Sequence, residues 1–414
     1  MIQKIFKNNN LKSITILASS SIIAQIICFF LVPVITRMYS PEEFARFTYI
    51  LSLLSLFMGV INFRYDMSIV KVSDERDVFI LIKGALLLGG IFTLLISIFI
   101  GIFFLFKEDF FWYHSLYFFL ILLSYAIINV LTAYNNRNRE YKIISSVNLI
   151  RPLAQNVGAI LLGVLSFRAS GLLLSYLLGQ LLGLKEQNKS LRVHWRMISS
   201  IPLKDVKNQL IVHKDQLIYS TPAQFINGFS YSSLSIIIEW MFSLTILGYY
   251  SISVRLLGLP LSVISGNVSK IFYENASREF EKYHTYRKTL KYTFLFLFFL
   301  AVPMVLLMMT VVPSLCGYYL GEEWKKAGDY IFILAPMFGI RFIVTSLSPA
   351  LIIVNKQKID LYLQILFIVF VAISYFLTNI YNQSIVCFLT MISITFSVAY
   401  FLYLLAIIKF SNIK

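Results

Sequence analysis

FILIKGALLLGGIFTLLISIFIGIFFLF, residues Phe79–Phe106, decides the fold. Its one charged residue is Lys83, near the start. A helix of this length, at about 1.5 Å per residue, exceeds the roughly 30 Å of a bilayer's hydrocarbon core. Lys107, Glu108 and Asp109 close the run abruptly. A surface helix of a soluble protein would show a polar face, and this run has none.

The pattern recurs along the chain. Runs at about 13–36, 45–70, 113–134, 143–166, 169–185, 215–240, 246–272, 290–313, 328–354, 359–379 and 384–408 have similar length and polarity. With 79–106 they predict an all-α polytopic membrane protein of about twelve transmembrane helices. Composition agrees: 58% of the 414 residues are hydrophobic and 14% charged, with mean hydropathy +0.77. A soluble chain carries about 25% charged residues, enough to cover its surface. The run Ile14–Ile35 follows Lys4, Lys7 and Lys12 but is longer than a signal-peptide core and lacks a small-residue cleavage site. It is read as a first span that stays.

The net charge of +16 follows the topology and does not point to nucleic acid. If the N-terminus is placed on the cytoplasmic side, 26 of the 36 Lys and Arg fall in cytoplasmic segments. Six (Arg37, Arg46, Lys107, Arg168, Lys325 and Lys326) fall outside, and four lie within spans away from the ends. This bias orients both termini to the cytoplasm. The longest polar stretch, 185–215, divides the chain into an N-terminal lobe (1–184, spans one to six) and a C-terminal lobe (216–414, spans seven to twelve). Six spans per lobe make the two halves parallel, as in transporters whose repeats are related by an axis normal to the membrane. The openings of spans two and eight, Glu43–Tyr49 and Ile246–Ser251, share a small residue two before an aromatic. External loops are short, the longest at about 314–327, so no external catalytic domain is expected.

The four arginines within spans are Arg64, Arg151, Arg255 and Arg341. Each costs roughly 2.5–3.5 kcal/mol at the bilayer centre, so such a residue faces a bundle interior or water. Arg151, Arg255 and Arg341 lie near the midpoints of their spans and Arg64 nearer the cytoplasm. No carboxylate lies as deep. Asp66, Glu239 and Asp360 sit nearer the ends and are the candidates for ion or proton coupling. Asn148, Arg151 and Gln155 fall on one face of the fifth span; Ser220, Gln224, Asn227 and Tyr231 do so on the seventh, and Gln25 follows Ser21 by four in the first. The same residue types serve as interhelical hydrogen-bond glue, so packing is the competing reading. Permanently charged, forked guanidinium groups suit phosphate. The expectation is an anion site in a shared cavity built from Arg151, Arg255, Arg341, Gln155, Asn148, Gln25, Gln224 and Asn227, with Arg64 near its cytoplasmic mouth.

No P-loop, HExxH or GxSxG motif occurs. Cys28, Cys316 and Cys387, and His114, His194, His213 and His284, show no metal-ligand spacing. No cofactor, metal or enzymatic activity is expected.

Three stretches carry a family resemblance: Pro33–Phe44 (PVITRMYSPEEF), Arg64–Val70 (RYDMSIV), and Leu247–Leu256 (LGYYSISVRL) followed by Pro260 and Phe272-Tyr273. Together they resemble the Wzx-type O-antigen flippases of the MOP (multidrug/oligosaccharidyl-lipid/polysaccharide) transporter superfamily. The resemblance implies a MATE-like arrangement of two six-helix lobes around a cavity. It implies transport of undecaprenyl-pyrophosphate-linked oligosaccharide, such as an O-antigen unit for lipopolysaccharide, across the bacterial inner membrane. Implied partners are the polyprenyl-pyrophosphate-linked oligosaccharide, membrane lipid and polysaccharide polymerase machinery. The alternatives are an ion-coupled small-molecule exporter of the same superfamily, which should favour cavity carboxylates, and a polytopic polysaccharide polymerase or ligase, which should carry a large external loop.

Overall fold

Lipid offers backbone N–H and C=O groups no partners, so a chain this apolar must satisfy them within helices. The computed structural model describes residues 9–107, 109–354, 356–381 and 384–412, with backbone alone at 9–21, 227, 231, 357, 381 and 412. Among the described residues all regular structure is helical. The protein is an all-α polytopic membrane protein. Among the described residues, eight helical stretches are long and apolar enough to cross a membrane. Of the remaining predicted spans, the first and seventh include the shorter apolar helices Ile22–Thr36 and Ser232–Met241, and the second and sixth fall on helical segments.

The long helices are α1 (Asn9–Thr36), α2 (Pro41–Met58), α4 (Glu75–Leu105), α5 (Trp112–Arg137), α6 (Tyr141–Val164), α7 (Arg168–Gln187), α10 (Thr221–Met241), α11 (Leu244–Pro260), α12 (Gly266–Tyr283), α13 (Arg287–Leu320), α14 (Lys326–Leu347), α16 (Gln357–Tyr381) and α17 (Ile385–Lys409). Shorter ones are α3 (Tyr65–Lys71), α8 (Trp195–Ser200), α9 (Leu203–Val212) and α15 (Ala350–Ile353). Side-chain caps start at least three of the long helices, among them α2, where the Ser40 hydroxyl accepts from the Glu43 N–H. The Asp74 carboxylate accepts from the Asp77 N–H ahead of α4, and the Ser243 hydroxyl accepts from the Ile246 N–H ahead of α11.

Four details differ from the sequence expectation. The second span, expected unbroken over 45–70, ends as a helix at Met58; the chain turns through Phe63 (φ 49°) and Arg64 (φ 60°) and restarts as α3. Asn62 causes the break. Its amide donates to the carbonyls of Ala85 and Ala126, both at 3.0 Å, and Asn129 donates to the Met58 carbonyl at 2.8 Å. Gly89 makes the approach possible, since a Cβ there would stand 2.7 Å from the Asn62 amide nitrogen. The eighth span is two helices, α11 and α12, joined by a single wide turn at Leu261–Ser265 directly after Pro260. Proline's missing N–H is a recurrent cause of such irregularity. The external loop expected at 314–327 is mostly helix: α13 continues to Leu320, and Gly321 turns the chain at φ 112°. The polar 185–215 stretch is also largely helical, holding the end of α7, α8 and α9.

The chain forms two compact units, residues 1–39 with 46–232, and residues 40–45 with 233–414. Two helices contribute to both: α2 gives its first residues to unit 2, and α10 divides at Ser232–Ser233. The start of α10 belongs to unit 1 because Gln224 lies against Gly59, and Ser232 shares a hydroxyl hydrogen bond with Ser55.

Within unit 1, α4 packs on α5, α5 on α7, α6 on α7, α3 on α5, and α1 on α6. Within unit 2, α13 packs on α14, α14 on α17, α16 on α17, and α11 on α14. Trp240 of α10 meets Tyr375 of α16, with centroids 5.7 Å apart. Counted as predicted spans, the pairs 3–4, 4–6, 5–6, 2–4 and 1–5 recur as 9–10, 10–12, 11–12, 8–10 and 7–11. The internal packing order of unit 1 thus recurs in unit 2.

Candidate functional site

The most developed polar cluster of unit 1 lies where α5, α6 and α7 meet. Helix α7 carries Gly171, Ser175, Gly179 and Gly183, one small residue every four, which places them in one row. Small rows let membrane helices approach closely. A Cβ at Gly179 would sit 2.8 Å from the Arg151 carbonyl oxygen and 3.3 Å from the Gln155 backbone nitrogen, so α6 backbone rests on it. A Cβ at Gly183 would sit 2.3 Å from Arg151 Nε. The Arg151 stem therefore lies across Gly183.

From there the guanidinium Nη2 donates to Gln187 Oε1 at 2.9 Å. Gln187 is buried, and its amide donates to Thr132 Oγ1 at 2.9 Å. The phenols of Tyr125 and Tyr176 share a hydrogen bond of 2.7 Å and contribute to the electrostatic surroundings of Arg151. No carboxylate pairs with Arg151 among the described residues, and its Nε is buried without a hydrogen-bond partner. The side chain is oriented by a neutral amide. A partly buried guanidinium held this way is suited to an incoming anion.

Two of the predicted arginines fall in unit 2, both against aromatic rings. Arg255 on α11 places its Cζ 5.9 Å from the Phe44 ring centroid. Phe44 in turn stands edge-on to buried Trp324, which meets Tyr249. Arg341 on α14 places its Cζ 5.3 Å from the Phe338 ring centroid and lies in the electrostatic range of buried Tyr250. A ring face attracts the cation through its quadrupole without consuming the in-plane N–H donors. Helices α11 and α14 are locked by Ser253, whose hydroxyl donates to the Ala327 carbonyl at 2.9 Å.

Arg64 precedes α3 in a left-handed conformation, with Nε buried and without a hydrogen bond; Asp66 is its electrostatic neighbour. Asn148 and Gln155 are partly buried on α6, as is Gln25 on α1. The side chain of Asn227 lies outside the described residues. Asp360 accepts a hydrogen bond from the Tyr403 hydroxyl at 2.6 Å, a structural tie between α16 and α17. Glu239 is partly buried near the end of α10. Gln187, Tyr125, Tyr176 and Thr132 were not expected. The four-residue spacing of small side chains in α7 was the available signal, since it marks the face where Arg151 must lie flat.

Residues 73–329 match the family model described as "Polysaccharide biosynthesis protein". No curated protein matches the chain. Among solved structures, the lipid II flippase MurJ in an inward closed conformation is similar with TM-score 0.71 at 14% identity, over 95% of this chain and 87% of that one. An inward-facing multidrug-resistance MATE family transporter of the MOP superfamily gives TM-score 0.64 at 14% identity, over 95% and 98%. A MOP superfamily transporter from Pyrococcus furiosus, whose description cites a binding pocket of reverse polarity, gives 0.63 at 15% identity, over 97% of each chain. The fold is that of MOP-superfamily transporters.

Proposed function

Because the chain belongs to the polysaccharide biosynthesis protein family, we propose that it is a flippase. It carries polyprenyl-pyrophosphate-linked oligosaccharide from the cytoplasmic to the periplasmic leaflet of a bacterial inner membrane by alternating access. The observation that carries this reading is Arg151, a cation within a membrane span, held by the Gln187 amide and paired with no carboxylate among the described residues. A pyrophosphate must cross a low-dielectric slab, and desolvated guanidinium groups are the side chains best matched to it. Arg255 and Arg341, laid on aromatic rings, supply the same chemistry in unit 2. On this reading the lobes 1–184 and 216–414 are parallel repeats joined by 185–215. Both termini are cytoplasmic, no nucleotide is hydrolysed, and the product passes to polysaccharide polymerase machinery.

An ion-coupled exporter of cations would instead work through Asp66, Glu239 and Asp360. Tyr403 already binds Asp360, which disfavours that role for Asp360. The test is reconstitution into vesicles with a fluorescent polyprenyl-pyrophosphate sugar and, separately, a cationic dye under a proton gradient. Protein-dependent movement of the lipid-linked sugar supports the proposal. Movement of the dye alone overturns it.

A further inference from the structure

The 185–215 segment does not hang free; it folds back along unit 1. Lys83 Nζ donates to the carbonyls of Ser199 and Ile201, both at 2.7 Å, and the Tyr65 hydroxyl donates to the Leu210 carbonyl at 3.1 Å. Helix α9 rests on Gly84, where a Cβ would stand 3.1 Å from both Val206 and Leu210. Beside this contact runs a groove of about 330 Å³, walled by Leu87 of α4 and by Leu203, Ile211 and Leu217. The charged groups on its lining are Lys207 and Lys214. Both are exposed, and neither makes an ion pair or hydrogen bond among the described residues. The nearby carboxylate of Asp205 is engaged by Arg76 at 3.5 Å.

The groove opens onto the lipid-facing side of α4. Leu87 is succeeded on the same face by Ile91, Leu95, Ile98 and Ile102, all exposed. Leu87 lies twelve residues into that helix, about 18 Å from its first residue. An apolar slot at this depth, with two unpaired ammonium groups on its lining, matches one kind of molecule: a chain with a negative head.

We propose that this groove binds an anionic glycerophospholipid of the surrounding leaflet, one acyl chain along Leu87 and Leu203 and the phosphate between Lys207 and Lys214. Charge selects the class. A zwitterionic head brings its own cation to the lysines, while an anionic head does not. Size selects the source. The slot is closed by Val206 and Leu210 against Gly84 and suits part of a single acyl chain, not a long polyprenyl tail. The site uses α4, α9 and the residues that follow α9 as far as Leu217, apart from the α6–α7 cluster around Arg151, so it stands whether or not the transport reading does.

The test uses the full chain in nanodiscs of phosphatidylglycerol and phosphatidylcholine in equal amounts, with retained lipid counted by native mass spectrometry. The wild-type protein should retain phosphatidylglycerol about thirtyfold more strongly, from two lysines acting at the membrane surface. The pair Lys207→Gln with Lys214→Gln should remove the preference, and Lys207→Arg with Lys214→Arg should keep it. Leu87→Trp, which fills the groove and leaves the charges, should lose the bound lipid. Equal retention of both lipids by the wild type would overturn the proposal. So would a preference that survives the Gln pair while amide exchange across 203–212 stays wild-type, or displacement of phosphatidylglycerol by equimolar polyprenyl phosphate.

Discussion

Gly183→Ala adds one methyl group to α7 and touches no charge, yet it should disable transport. The new Cβ would stand 2.3 Å from Arg151 Nε and 2.6 Å from its Cγ. Ordinary contact requires about 3.5 Å, so the stem must shift by about 1 Å or change rotamer. Either movement breaks the 2.9 Å bond to Gln187, and a hydrogen bond to a charged group contributes about 1.5–3 kcal/mol. What yields is a flexible side chain, not backbone, so folding should suffer little. Misplacing a substrate-positioning group by about 1 Å can cost on the order of 100-fold in rate. Gly179→Ala provides the contrast. Its methyl would meet the Arg151 carbonyl at 2.8 Å, forcing the helices apart and destabilising the fold. The assay is polysaccharide export in cells lacking the wild-type protein, with membrane protein level and melting temperature measured in parallel. Gly183→Ala should lower export steeply at near-normal protein level, and Gly179→Ala should lower both together. Wild-type export by Gly183→Ala would refute the assignment of Arg151 to the site. So would loss of folded protein in proportion to lost export.

Four further outcomes are expected as hypotheses. Arg255→Ala, which removes the cation over Phe44, should abolish export at near-normal protein level, with Arg255→Lys restoring part of it; loss of protein in step with export would make the residue structural. Asn62→Ala, which removes the two 3.0 Å bonds to Ala85 and Ala126, should lower stability by about 2 kcal/mol in thermal or denaturant melts, and an unchanged midpoint would reject its role in the α2–α3 break. Tyr286→Phe should cost about 1 kcal/mol, because the buried hydroxyl donates to the Ile407 carbonyl at 2.8 Å; free amide exchange near Ile407 in the wild type would contradict this. From the 26-to-6 charge bias, a reporter fused after Lys414 should be active only in the cytoplasm, and periplasmic activity would invalidate the orientation.

Helix identity was legible in the sequence because lipid permits one local solution for a long apolar run. Where helices break was not. Asn62 reads as an ordinary polar residue until Gly89 and the carbonyls of α4 and α5 come beside it. Pro260 announced irregularity but not that the chain would continue as α12. The 185–215 stretch has the composition of a linker, and its helices depend on contacts with Lys83 and Tyr65 far away in sequence. For the site, depth in a span identified Arg151, Arg255 and Arg341. It did not identify what each one touches. Gln187 lies at the last residue of α7, where polarity is unremarkable in a sequence. Phe44 stands 211 positions before Arg255, and only the folded chain brings ring to cation.

The division of α2 has a consequence for biogenesis. Pro41–Ala45 belong to unit 2: Glu42 accepts from the Thr245 hydroxyl, the Pro41 carbonyl lies where Gly248 leaves room, and Phe44 rests on Trp324. A ribosome releases the second span long before it makes Trp324, an interval on the order of tens of seconds at typical elongation rates. Throughout that time the start of α2 has no seat. The nascent N-terminal half must wait in the bilayer, incomplete, and it is exposed to membrane proteases until the other half arrives. Cutting the gene within 185–215 should therefore yield two fragments that are each short-lived alone and that rescue one another when made together.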